Sequence, residues 1–143
     1  MTNRLNKLVC KLVEKQKIIF LIDSAGAFST AVLLFAILRP FNHYIGMPKI
    51  ALSYLSFIAI SICSYSAICF LLLKQNPPPF IKGVVIANLL YCAFTIRLIF
   101  KYYPLLTKIG IIYFIIEIMI ICLLSYVELK VAAEIKENKL ADN

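Results

Sequence analysis

Tryptophan is absent from the 143 residues, histidine occurs once and glycine only four times. The lone His43 excludes paired-histidine metal and haem ligation within one chain, and the cysteines are not at CxxC spacing, so no metal site is expected. Four glycines cannot supply a Gly-rich dinucleotide fingerprint or a phosphate-binding loop, which removes nucleotide-dependent chemistry. A Ser/His/Asp relay would require His43, in a loop, to reach serines that mostly lie inside apolar runs. The chain is therefore expected to be no enzyme and to need no cofactor. Acidic residues are also few, seven against fifteen Lys and Arg, for a net charge of +8. Those basic residues stand between apolar runs and in the tails rather than on one soluble face, so no nucleic-acid partner is expected.

What the sequence has in abundance is apolar length. Hydrophobic residues make up 62% of it, and its mean hydropathy is +0.91, against roughly 45–50% apolar usage in soluble domains. Four runs are long enough to cross the roughly 30 Å hydrocarbon core of a bilayer, which takes about 20 helical residues. They cover about 18–38, 50–73, 81–100 and 105–129, forming one domain over 18–129. Breaks fall at Arg39-Pro40, at Gly46-Met47-Pro48, at the proline run Pro77-Pro78-Pro79, and at Lys101-Tyr102-Tyr103-Pro104, where an aromatic belt would meet headgroups. No small-residue cleavage site follows the first run, so it reads as an uncleaved span rather than a signal peptide. Backbone groups in lipid must be satisfied internally, and no alternating strand pattern exists, so the expected fold is all-α: an integral membrane bundle of four transmembrane helices. Cys63, Cys69, Cys92 and Cys122 lie in the runs and Cys10 in a basic tail, which speaks for packing rather than disulfides.

Residues 1–17 place Leu5, Leu8, Val9, Leu12 and Val13 on one helical stripe, with Arg4, Lys7, Lys11 and Lys15 largely on other faces. This is the pattern of an amphipathic surface helix held by anionic lipid headgroups, at about 1 kcal/mol per basic residue. A basic flank that only sets topology has the same composition, and both readings stand. Ten basic residues lie in the two tails and the second loop against five in the first and third loops (Arg39, Lys49, Arg97, Lys101, Lys108). The positive-inside rule then puts both termini in the cytoplasm, with residues 130–143 a charged tail fraying into solvent.

Ionisable groups inside a bilayer cost at least roughly 2.5–3.5 kcal/mol at its centre, so each one needs a reason. Asp23 lies roughly 8 Å into the first span and Glu117 about 18 Å from either end of the fourth. Such a carboxyl is neutral, paired or wet. Arg97 is the partner nearest in depth, although one turn before Lys101 it can also snorkel to the headgroups. Helical spacing groups Asp23, Gly26, Ala27 and Thr30; Tyr54, Ser61 and Tyr65; Asn88, Tyr91, Cys92 and Thr95; and Tyr113, Glu117 and Glu128. Lipid offers these stripes no hydrogen bonds, so all four are expected to face inward, with small residues such as Gly26, Ala31, Ala59 and Cys63 letting the helices approach. Asp23, Asn88, Tyr91 and Glu117 are then either the glue of the bundle or the lining of a ligand site or proton pathway.

At Gly46-Met47-Pro48, Ile86-Ala87-Asn88-Leu89-Leu90-Tyr91-Cys92 and Glu128-Leu129-Lys130-Val131-Ala132 the chain resembles small four-span bacterial membrane proteins that carry no known activity. The resemblance implies a bacterial inner-membrane protein and assigns no substrate. Small multidrug exporters share the approximate size and a first-helix carboxylate, here Asp23, but characteristically use a membrane-embedded tryptophan that this sequence lacks. Three functions remain open: a non-enzymatic membrane protein with a polar interior, a homodimeric proton-coupled small-molecule transporter, and an accessory or signalling subunit acting through the basic N-terminal segment.

Overall fold

The structure is a computed structural model that describes residues 17–72 and 77–141; the surface-helix reading of residues 1–17, with Arg4, Lys7, Lys11 and Lys15, lies outside the described side chains. It is helical, with no strand among the described residues. Helix α1 spans Lys17–Val32 and runs on into a π-helical turn, Leu33–Leu38, in which the Arg39 amide reaches back five residues to the Leu34 carbonyl at 2.9 Å. A short helix α2, Asn42–Ile45, follows, then α3 (Lys49–Leu72), α4 (Pro77–Tyr102) and α5 (Lys108–Ala141). Four segments, Ile18–Leu38, Lys49–Leu72, Pro79–Tyr102 and Lys108–Glu137, are long and apolar enough to cross a membrane.

Two boundaries differ from the sequence reading. Pro77, Pro78 and Pro79 form the first turn of α4 rather than a loop before it, because the N–H groups they lack have no intrahelical acceptor there. Helix α5 does not fray at Lys130 but continues to Ala141, and Val131, Ala132 and Ile135 are buried against Ile19, Phe20 and Ile81. A few inward apolar side chains are enough to hold a helix whose other positions are charged.

The ends of the long helices beside α2 are tied by backbone. Gly46 ends α2 at φ 83°, and a Cβ there would stand 1.9 Å from the Leu105 carbonyl oxygen. Thr107 caps α5: its Oγ1 accepts from the Gly110 amide at 3.2 Å and donates to the Tyr44 carbonyl at 2.6 Å, while its amide donates to the Ile45 carbonyl at 3.1 Å. Gly110 lets α5 pass this carbonyl, since a Cβ there would meet the Ile45 oxygen at 2.3 Å.

Packing pairs α1 with α3 and α4 with α5, and these two pairs meet less extensively along α3 and α4. The interior holds two apolar clusters. One gathers Leu34, Leu52, Leu55, Tyr91 and Phe114; the other gathers Phe20, Cys69, Val84, Val131 and Ala132. Apolar side chains also cover the outside, with Phe57, Met119 and Leu123 each more than 60% exposed. An apolar exterior around buried carboxyls is the reverse of a water-soluble bundle.

Candidate functional site

In every long helix the step from one apolar cluster to the other is a buried polar residue. Along α1 it is Asp23, between Phe20 and Ala31; along α3, Ser66, between Cys69 and Ile62. Along α4 it is Asn88, between Val84 and Tyr91, and along α5 Glu128, just before Val131. The four meet at one level. Ser66 Oγ donates to Asp23 Oδ2, and Asn88 Nδ2 donates to Asp23 Oδ1 at 2.7 Å. The Glu128 carboxyl stands beside that of Asp23, but neither of its oxygens has a hydrogen-bond partner among the described residues. Asp23 and Glu128 are each 1% exposed.

A second polar site lies further along the bundle. Tyr91 Oη donates to Glu117 Oε1 at 2.9 Å, and Thr95 Oγ1 donates to the Tyr91 carbonyl at 2.9 Å. Glu117 Oε2 is buried without a partner among the described residues. Among the described residues no basic side chain hydrogen-bonds to any of the three buried carboxyls. Arg97 in particular is exposed: the Tyr91 hydroxyl, not Arg97, meets Glu117. The long arginine stem keeps its charge at the periphery, which costs less than carrying it inward.

Between the two sites is a cavity of about 60 Å³ whose wall includes Asp23, Gly26, Thr30, Asn88, Tyr91 and Ile121. One water needs roughly 10–15 Å³ on this measure. The cavity therefore takes a few waters or a small ion and is too small for a drug-sized molecule. Asp23, Asn88 and Tyr91 stand in its otherwise apolar wall, so the cavity runs from the Asp23 site to the tyrosine that holds Glu117.

All four residues expected to carry the polar interior are buried, in two pairs: Asp23 with Asn88, and Tyr91 with Glu117. The second-span stripe is corrected. Tyr54 is 62% and Tyr65 39% exposed, Ser61 is also exposed, and the inward face of α3 carries Ser56, Ala59, Ile62 and Ser66. A helical serine satisfies its own hydroxyl by donating to the carbonyl four residues back, as Ser53, Ser61 and Ser64 do, so its presence does not mark the inner face. Ser66 and Glu128 were not singled out as site residues. Ser66 could have been found by following Ala59 down its own face, and Glu128 by setting it at the depth of Asp23 on an antiparallel neighbour.

Among the described residues no group of three or more His, Cys, Asp or Glu side chains could hold a metal ion. No protein family, no curated protein and no solved structure matches this chain.

Proposed function

We propose that this chain is a non-enzymatic, multi-pass protein of the bacterial inner membrane, with both termini cytoplasmic, whose polar interior conducts protons in support of small-ligand transport. The membrane reading is supported by the four long apolar helices and their apolar outer faces, and the orientation by the ten-to-five distribution of basic residues.

The observation that carries the proton role is a buried carboxyl oxygen left without a partner among the described residues, Glu117 Oε2, whose neighbour Tyr91 lines a water-sized cavity together with Asp23, the residue that Glu128 stands beside. A network that only glued helices together would satisfy its buried acceptors, because each orphan costs about 1–3 kcal/mol. Carboxyls that must exchange a proton need a free lone pair and water within reach. Glu128, Asp23, the cavity, Tyr91 and Glu117 form such a series from one end of the bundle toward the other.

The same cavity favours the dimeric form of this reading, since at about 60 Å³ it admits no substrate larger than an ion or a few waters; a second copy laid over the open groove of about 470 Å³ beside Ser61, Tyr65 and Tyr91 would complete a larger site. The test is proton entry into proteoliposomes loaded with a pH dye, driven by a potassium diffusion potential. Wild-type protein should acidify or alkalinise the lumen faster than empty vesicles, and Glu117→Gln should abolish the difference while retaining its melting temperature. Equal rates for wild type and the Gln variant would overturn the reading.

A further inference from the structure

Between Asp23 and Glu117 the sequence has no acidic residue, while Arg39, Lys49, Arg97, Lys101 and Lys108 all fall near the α2 end of the bundle. Glu117 lies about 14 Å along α5 from Lys108 and is buried, and Asp23 is further still, so among the described residues no carboxyl reaches this end. The anions that balance these cations have to come from outside the chain.

Two of the five converge. Arg39, at the close of the π-helical turn, and Lys49, the first residue of α3, line an open groove of about 470 Å³ with Ile50, Ser53, Tyr54 and Phe57. π-helical turns concentrate at functional sites, and the extra residue in this one sets Arg39 further back round the α1 axis than an unbroken α-helix would. The Arg39 guanidinium rests over the Phe35 ring, 4.8 Å from its centroid, an attraction that holds the charge without using any of its five N–H donors. The groove is thus cationic at one end and apolar at the other, with Tyr54 between them, the amphipathic type that favours the headgroup level.

We infer that this groove holds one anionic phospholipid, its phosphate between Arg39 and Lys49 and an acyl chain laid along Ile50 and Phe57. The inference rests on the membrane reading given above and is independent of the proton series. A guanidinium takes phosphate oxygens in pairs and an ammonium binds them as a point charge. Lys49 also opens α3, whose first-turn amides lack intrahelical acceptors and favour an anion. Soluble phosphate would use the cationic end alone and leave Ile50 and Phe57, 70% and 69% exposed, uncovered. A zwitterionic lipid brings its own ammonium group, so it gains less from two more cations. The contact is separate from the one expected of residues 1–17, which precede the opposite end of α1.

The test uses the full-length chain in a neutral detergent. Melting, and lipid adducts in native mass spectrometry, are followed as phosphatidylglycerol, phosphatidylcholine or inorganic phosphate is added at constant ionic strength. Phosphatidylglycerol should raise the melting temperature saturably and leave one adduct more than phosphatidylcholine does. Arg39→Gln and Lys49→Gln should each weaken its midpoint about fivefold, the equivalent of roughly 1 kcal/mol per basic residue at an anionic surface. Phe57→Ser should weaken it several-fold, and Lys101→Gln should leave it unchanged. All four side chains are exposed, so each variant should fold, and its melting without lipid checks this.

Equal responses to phosphatidylglycerol and phosphatidylcholine would overturn the inference. So would a matching response to inorganic phosphate, the mark of a soluble-anion site, or an undiminished response in the Arg39→Gln/Lys49→Gln double variant, the mark of binding elsewhere on the chain. A chain that stays dispersed without detergent sinks the membrane reading and the lipid site with it. Proton flux in proteoliposomes without a phosphatidylglycerol response sinks the lipid site alone, and the reverse result sinks the proton path alone.

Discussion

At the scale of single residues, the feature that matters most is the difference between a carboxyl with all its acceptors met and one without. Asp23 accepts from Ser66 and Asn88, whereas Glu117 accepts only from Tyr91. Tyr91→Phe should therefore lower stability by about 1 kcal/mol, the usual worth of a buried hydrogen bond. Glu117→Gln keeps shape and an acceptor for Tyr91, so its melting should stay near wild type. In the double mutant the Tyr91→Phe loss should persist, because an amide oxygen still accepts from the hydroxyl; a Glu117→Leu background should instead shrink it, and full additivity there would rule out direct coupling. Much of this was legible in the sequence, since depth and helical face alone bring Asp23, Asn88, Tyr91 and Glu117 inside. The pairing was not. Arg97 had the right depth, but side-chain length let its charge reach the periphery, and sequence distance carries no information about that choice.

At the scale of elements, three glycines separate helix chemistry from packing. Gly46 combines φ 83° with a near-contact to Leu105, and Gly110 faces the Ile45 carbonyl. Gly46→Ala and Gly110→Ala should each destabilise by about 1–3 kcal/mol, both through overpacking against main chain that cannot rotate away and Gly46→Ala also through left-handed backbone cost. An added Cβ at Gly26 meets nothing within 4 Å, so Gly26→Ala should be neutral or stabilising by up to about 1 kcal/mol through helix propensity. Thermal melting of the three variants in one detergent gives the ranking, and a Gly26→Ala variant less stable than Gly46→Ala would contradict it. The four long helices were readable from apolar length, because bilayer thickness and backbone satisfaction leave few alternatives. Their ends were less so. Proline signals a break equally well just after one helix and inside the first turn of the next, and the charged positions after Lys130 conceal the short apolar stripe of Val131, Ala132 and Ile135.

At the scale of the whole molecule, the proposed orientation gives a direct prediction. Reporter fusions at Asn143 and after Gln75 should report cytoplasm, and a fusion after Asn42 the periplasm; an exterior C-terminus would contradict the four-span arrangement. The two ends of the bundle differ in how they are held. At the α2 end, hydrogen bonds between Thr107 and the α2 segment, and glycines pressed on opposing carbonyls, lock the α1–α3 pair to the α4–α5 pair. At the other end, apart from the chain link from α3 to α4, the contacts between the pairs among the described residues are side-chain contacts around Asp23 and Glu128 and the apolar cluster beneath them. Spin labels at Ile50 and Phe100 should therefore give a narrow distance distribution, and labels at Leu72 and Leu129 a broader one; equal widths would contradict the difference. Apart from the chain link from α3 to α4, the contacts described at the Asp23 end are made by side chains alone, so the two helix pairs would part more readily there than at the α2 end, where main chain grips main chain.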